Sequence, residues 1–484
     1  MTERFIAALD LGTSSCRAAA VSPDGRILCQ KTVRLAPVRR APGLSEYDAQ
    51  TLFSAQLEAL NGVLNQAGPQ NAAAVAVASQ RSTVVLWDKS SGLSVAPVLT
   101  WEDGRAAEEA QRCTLPQDEI HALTGLYKTP YFSAPKIAWC LKNCPPAQEA
   151  LRAGTLAVGP AATYFIWRLT EGAVFATDPT LAQRTLLFDI NTRAWSRPLC
   201  EAFGVPESVL PAVLPSGADY GFYQYNGVNI PILSCAGDQQ AAAYAADLTP
   251  GKCSINYGTG AFLLYNAGRG AKRLPGLLTS LAVSEDSSES DILLEGPVNA
   301  AGSVFMWLNE CGVAIDMASA DALIKTAQKP VWLLPALGGL GAPYWDFSVS
   351  PVIAGLSPLT KKADVAAGAV RGVAFSVADV AYYLRKSGLD PVQTSVSGGL
   401  SRLESLVQFQ ADILQRELTV LEETEGTLLG AARLAARRLG TAKDAWNLPA
   451  VKRTVQPGIF GVEADKEYQN WRKFVEWSKA KPAL

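Results

Sequence analysis

The chain opens on an unbroken apolar run, Phe5-Ile6-Ala7-Ala8-Leu9, that ends in a carboxylate, Asp10. A turn of small residues follows, Gly12-Thr13-Ser14-Ser15, and a second apolar run ends at Pro23-Asp24-Gly25. Short apolar runs bounded by turn residues predict two buried strands joined as a hairpin. The period then changes. Between Asp48 and Gln66, the positions Leu52, Phe53, Leu57, Leu60, Val63 and Leu64 share one helical face, which predicts an amphipathic helix. Ala73 to Ala78 predicts a small-residue strand, and Val84-Val85-Leu86-Trp87 a second that enters the turn from Asp88 to Gly92. Ile232 to Gly237 predicts a buried strand ending at Asp238, with a small-residue helix to Ala246. Cys253 to Tyr265 repeats the opening unit: strand, Gly258-Thr259-Gly260, strand. A later strand ends in the turn Gly398-Gly399, before helices over 404–414 and 427–439. Strands alternating with helices predict an α/β fold. The boundary falls near residues 240–250, which divides the chain into domains 1–243 and 244–484.

Composition narrows the setting. A chain of 484 residues suits two or three domains, and 48% hydrophobic with 18% charged residues provides for large cores. A net charge of −2 gives no general attraction to nucleic acid or anionic membrane. No apolar run reaches the roughly 20 residues of a membrane span. The start, Met1-Thr2-Glu3-Arg4, leads into the first strand without a signal pattern, so a cytoplasmic location is expected. Nine scattered cysteines argue against a disulfide framework. Cys140 and Cys144 share a helix face but lack further spaced metal ligands, and the sole histidine, His121, reads as a structural helix residue.

Two Gly-Thr hairpins read as two phosphate-gripping loops, because glycine lets the backbone approach closely and successive N–H groups form an anion nest. Asp10, at a strand end beside the first loop, suits Mg²⁺ held through water, although a turn Asp also caps local N–H groups. Arg17 either supplies charge to a transferring phosphoryl group or makes a surface ion pair. Asp238 suits a base that takes the proton of an attacking hydroxyl; the alternative is a helix N-cap. Trp101-Glu102-Asp103 and Tyr131-Phe132-Ser133 could line a pocket for a polyhydroxy compound. Sequence order alone does not bring these segments together.

These motifs, taken in order, resemble the FGGY carbohydrate kinases, and within them the glycerol-kinase pattern. The resemblance rests on Ala8 to Ser14, Ser79-Gln80-Arg81 with Val84 to Asp88, Tyr131 to Trp139, Ala236 to Ala242, Asn256 to Gly260, Gly341 to Asp346 and Gln408 to Leu414. It implies two ribonuclease-H-like, actin-type domains flanking a nucleotide cleft. It implies ATP and Mg²⁺ as cofactors and a small polyol or sugar as partner, with homo-oligomerisation left open. It casts Asp238 as the general base, and Asp10 and Asp238 as metal-associated carboxylates. Gly12, Thr13, Ser14, Arg17, Gly258, Thr259, Gly260, Gly302, Gly398 and Gly399 become nucleotide and phosphate residues. Arg81, Ser82, Trp101, Tyr131, Asp238 and Gln239 become the acceptor pocket.

The departures from the pattern lie on the acceptor and base sides. Ser82 stands where the glycerol-kinase pattern has Glu, and Trp101-Glu102-Asp103-Gly104-Arg105 is nearer the xylulokinase form. Leu403, Met306 and Arg371 replace an Asn, a Gln and an acidic residue. The reading is an ATP-dependent kinase of a polyol or sugar, with a ketopentose as the alternative acceptor. A non-catalytic nucleotide- or sugar-binding regulator and an actin-fold ATPase are the competing classes. The intact Asp10, Thr13, Arg17, Asp238 and Thr259 weigh against the first, and the acceptor-side motifs against the second.

Overall fold

The computed structural model describes all residues except 1, 2, 40, 42, 271, 272, 287, 288, 423, 424, 442–445, 447, 448, 460 and 481–484. The leading residues Met1 and Thr2 therefore lie outside the described residues. The chain forms two compact units. The first comprises 1–247, 280–291 and 425–448; the second comprises 248–279, 292–424 and 449–484. The contiguous halves 1–243 and 244–484 differ from this division, because two later segments join the first unit. One reason is visible at Gly430, where a Cβ would stand 1.8 Å from the Ala241 carbonyl oxygen. Only glycine lets the helix Gly426–Arg438 pack this closely on the helix Asp238–Ala245.

In the first unit the central sheet runs Phe222–Tyr225, Val228–Gly237, Ala72–Ser79, Phe5–Leu11, Ser15–Val21, Ile27–Arg34. Phe5–Leu11 is antiparallel to Ser15–Val21 and parallel to Ala72–Ser79, which is parallel to Val228–Gly237. In the second unit Lys252–Tyr257 is antiparallel to Ala261–Gly268 and parallel to Gln393–Ser397, which is parallel to Leu418–Leu421. Ile292–Val298 lies beyond Ala261–Gly268. Each unit thus has a three-strand meander extended by two parallel strands, in the order 3-2-1-4-5. The sequence repeat at Gly12 and Gly258 is the hairpin turn of the first two strands in both. All seven residues of Phe5–Leu11 are buried, as expected for a strand covered on both faces.

The amphipathic helix runs Ala49–Ala67, with the Asp48 carboxylate accepting the Thr51 N–H at 2.8 Å. A four-stranded sheet in the first unit holds Glu46–Tyr47, Val98–Leu99, Val84–Asp88 and Leu156–Pro160. The chain crosses from the central sheet to this one at Gln80–Thr83. Helix Lys362–Lys386 is long and apolar enough to cross a membrane, yet 78% of its apolar window is buried within the fold. All nine cysteines are free.

Candidate functional site

The strand Phe5–Leu11 delivers Asp10 to its carboxyl end, opposite Arg17 in the antiparallel register. Arg17 bridges the carboxylates of Asp10 and Glu425. Asp10 is 4% exposed. Burial raises its pKa to about 6; Arg17 opposes that shift, and the Asp238 and Glu425 carboxylates add to it. Asp10 and Asp238 are therefore close enough to repel, although burial rather than that repulsion is the main cause of the shift. Among the described residues no cluster of three or more His, Cys, Asp or Glu could hold a metal. Two nearby carboxylates without a closed cage fit Mg²⁺, which keeps much of its water and binds substrate phosphates.

Asp238 begins the helix Asp238–Ala245, and Gly237 occupies the cap position. Its carboxylate accepts the Gln239 N–H at 2.7 Å and lies 3.6 Å from Arg81 Nε. Gly237 leaves room for Arg81: a Cβ would stand 3.1 Å from both Cγ and Cδ of Arg81 and 2.7 Å from Gln240 Oε1, so both side chains would have to shift. The Gly237 N–H donates to Thr180 Oγ1 at 2.8 Å, and that hydroxyl is held by the buried Asp178. The Gln239 Oε1 atom is buried with no partner in the fold. A buried amide oxygen left without a partner, on the residue next to Asp238, fits a ligand hydroxyl.

Trp101 and Tyr131, 30 residues apart in sequence, bring their ring centroids to 5.5 Å. Ser82 adopts φ 64°, and its hydroxyl faces the Arg184 carbonyl at 3.5 Å. Glu102 pairs with Arg39 at 2.8 Å and accepts the Ser45 hydroxyl at 3.3 Å. Asp103 and Glu46 hold Arg105, and the Ser45 N–H, donating to Asp103 at 2.6 Å, links this network to Glu102.

The first loop differs from a simple phosphate grip. The Thr13 hydroxyl donates to Gln80 Oε1 at 3.1 Å and accepts the Trp101 indole N–H at 2.9 Å. The Thr13 carbonyl accepts the Tyr47 hydroxyl. Gln80 also donates to the Gly12 carbonyl at 3.2 Å and accepts the Thr83 hydroxyl at 2.9 Å. Thr13 thus ties the loop to the acceptor-side residues, while Ser14 is exposed. Sequence reasoning quoted Gln80 only as part of a motif and missed its central place. It also missed Glu425, 408 residues from Arg17. The Asp178-Pro179 pair, a helix-start signature, could have pointed to Thr180.

In the second unit, the Gly258 N–H donates to the Gly260 carbonyl at 2.8 Å. The loop is clipped to the start of helix Gly302–Glu310: Gly302 N–H to the Gly258 carbonyl, 2.9 Å, and Ser303 N–H to the Thr259 carbonyl, 3.0 Å. A Cβ on Gly302 would stand 2.8 Å from the Gly258 oxygen, and one on Gly260 2.7 Å from the Val298 oxygen. Gly258 itself has no atom within 3.7 Å of a Cβ, and Thr259 is exposed. The Ser303 hydroxyl is buried and unpartnered. The first N–H groups of the helix are spent on the loop's own carbonyls, so the helix start braces the loop. Gly398 has φ 88°, and a Cβ would stand 2.4 Å from the Tyr257 oxygen, whereas Gly399 is open.

Leu403 is buried at the cap of helix Glu404–Leu414, and its side chain makes no capping bond. Asp321 caps that helix instead, accepting the N–H groups of Glu404 and Ser405 at 2.9 and 2.8 Å. Met306 is 62% exposed. Arg371 pairs with Glu467 and lies over Phe409, 4.9 Å from the ring centroid.

Residues 5–245 match the model of the N-terminal domain of the FGGY family of carbohydrate kinases, and residues 253–439 match that of the C-terminal domain. The chain is 35% identical over 490 residues to a glycerol kinase of Shewanella woodyi, covering 98% of this chain and 99% of that one. A glycerol kinase of Halorhodospira halophila is 36% identical over 499 residues, covering 99% and 97%. Among solved structures, Plasmodium falciparum glycerol kinase with ADP superposes with TM-score 0.92 at 26% identity, covering 99% of each chain. A sugar kinase of Brucella ovis, TM-score 0.86 at 24% identity over 98% and 99% of the chains, shares the fold.

Proposed function

The chain belongs to the FGGY family of carbohydrate kinases, and from that premise we propose that its acceptor is a polyol or ketopentose longer than glycerol, with Asp238 as the base. The reaction class is ATP-dependent phosphorylation of a hydroxyl of a small polyol or sugar, in the manner of glycerol kinase. The acceptor oxygen attacks the γ-phosphorus of ATP, the bond to the β-phosphate oxygen breaks, and ADP leaves. Asp238 takes the hydroxyl proton. Arg81 and Gln239 hold neighbouring hydroxyls, and the faces of Trp101 and Tyr131 pack against carbon. The loop Gly258-Thr259-Gly260, backed by Gly302, holds the phosphates. The Gly398-Gly399 turn borders the nucleotide. Asp10 and Asp238 would hold Mg²⁺ through water, and when bound the ion neutralises phosphate charge. We place this work in the cytoplasm, on small molecules rather than nucleic acid or membrane, with homo-oligomerisation left open.

The observation that carries the acceptor reading is Arg81 beside Asp238, with a serine rather than a carboxylate next to Arg81 in sequence. Ser82 is short and uncharged, and Glu102 is engaged by Arg39 and Ser45. ADP release from ATP, with and without glycerol, erythritol, xylulose and ribulose, tests this. Turnover stimulated most by a four- or five-carbon acceptor supports the reading. A preference for glycerol removes the acceptor assignment, and acceptor-independent turnover removes the kinase assignment.

A further inference from the structure

Lys136 lies in the helix Ser133–Asn143 and is fully buried. Its ammonium group donates to the Tyr131 carbonyl at 2.6 Å and reaches the Ser82 carbonyl at 3.4 Å. The Ser133 hydroxyl, from the same helix, donates to that Ser82 carbonyl at 3.2 Å. Burial lowers the Lys136 pKa to about 7, against the pull of the Asp103 carboxylate. Burying an ammonium is costly unless its donors are satisfied. An apolar side chain of similar length would pack without that cost, but it could not join two carbonyls.

Those two carbonyls belong to two walls of the acceptor pocket. Ser82 follows Arg81 and sits in the left-handed region at φ 64°, which is strained for a residue with a Cβ. Something must hold the turn in that state, and two donors converge on its carbonyl oxygen. Tyr131 carries the ring that faces Trp101.

We propose that Lys136, assisted by Ser133, is a positioning residue that sets the Arg81–Ser82 turn and Tyr131 at the spacing the acceptor requires. It touches neither acceptor nor nucleotide. The inference rests on the acceptor pocket assigned above and adds the group that fixes its shape.

The test measures KM for the best acceptor, KM for ATP and kcat for wild type, Lys136→Met, Lys136→Gln and Ser133→Ala, with thermal unfolding of each. Lys136→Met is expected to raise the acceptor KM at least tenfold while the ATP KM stays within twofold. Lys136→Gln, which keeps an N–H donor, recovers part of that loss, and Ser133→Ala shifts the acceptor KM in the same direction by less. Should Lys136→Met fail to fold, Ser133→Ala carries the test: an unchanged acceptor KM overturns the inference. Equal shifts in both KM values, or lowered stability with neither KM changed, also overturn it. Wild type without acceptor-stimulated turnover overturns both this inference and the kinase reading, whereas an active wild type with an unmoved Lys136→Met overturns this one alone.

Discussion

The two units repeat one sheet topology, yet they build their sites from different materials. In the second unit the loop at Gly258 is backbone: Gly260 and Gly302, whose Cβ atoms would collide with carbonyls, hold it against a helix start. In the first unit the equivalent loop at Gly12 is bound up by side chains. Thr13 is committed to Gln80 and Trp101, and Arg17 to Asp10 and Glu425. The same hairpin is therefore finished in two ways. A backbone site suits phosphate, which every ATP carries alike. A side-chain site suits an acceptor, whose hydroxyl pattern has to be distinguished.

The largest effect that would sharpen this contrast is at the base. Asp238→Asn keeps shape and removes the proton acceptor, and it should lower kcat by about 10²–10⁴. Rapid-quench measurement of acceptor phosphate formation checks this. A rate above half of wild type takes Asp238 out of that role. Next comes Ser82→Glu, which adds a carboxylate beside Arg81. A charged hydrogen bond of roughly 1.5–3 kcal/mol corresponds to about 10–150-fold, so kcat/KM for glycerol should rise by that order. If wild type already prefers glycerol and the variant does not improve it, the argument from this position fails.

Much of this contrast was legible in the sequence because glycine and apolar runs announce backbone demands. The strand ending at Asp10, the helix after Asp48 and both Gly-Thr turns could be placed from local pattern. Gly258 and Gly260 could be read as a loop, but Gly302 as its support came only through family resemblance. The side-chain site was far less legible. The pairing of Arg17 with Glu425 joins positions 408 residues apart, and no local rule predicts it. The bonds of the Thr13 hydroxyl were not legible, since nothing in its neighbourhood names Gln80 or Trp101. Leu403 stands where the family pattern has an Asn, and only the fold shows it as core at a helix start capped by Asp321. Trp101 and Tyr131 needed the fold to bring their rings together.

On the backbone side, Gly258→Val should fold normally, because no atom lies within 3.7 Å of the added Cβ. It should weaken Mg·ATP by at least about tenfold, the equivalent of roughly 1.4 kcal/mol. Gly302→Ala provides a contrast, since its Cβ would press on the Gly258 oxygen at 2.8 Å and shift the loop itself. Base selectivity should be loose. Met306 and Leu403 offer no amide, and one net hydrogen bond of about 0.5–1.5 kcal/mol is worth only about 2–13-fold. GTP should therefore support turnover within that range of ATP in competition assays; a strict ATP requirement would show that other residues read the base.

The smallest effect concerns pH. Burial raises the pKa of Asp379 to about 6, against hydrogen bonds from Trp471 and Tyr468, and burial likewise raises Asp178 to about 6. A carboxyl whose folded pKa lies above its unfolded value contributes stability below about pH 4 that is lost as pH rises through about 6. Tm should fall over that window at these groups. Asp379→Asn should make the fall shallower in thermal scans, and an unchanged slope would remove Asp379 as a contributor.

The division of labour between backbone and side chains is tested most directly by calorimetric titration of Mg·ATP and of the preferred acceptor into wild type, Gly258→Val and Ser82→Glu. The account predicts that Gly258→Val weakens Mg·ATP and leaves acceptor affinity unchanged, while Ser82→Glu shifts acceptor affinity and leaves Mg·ATP unchanged. Both ligands moving together in either variant would contradict it.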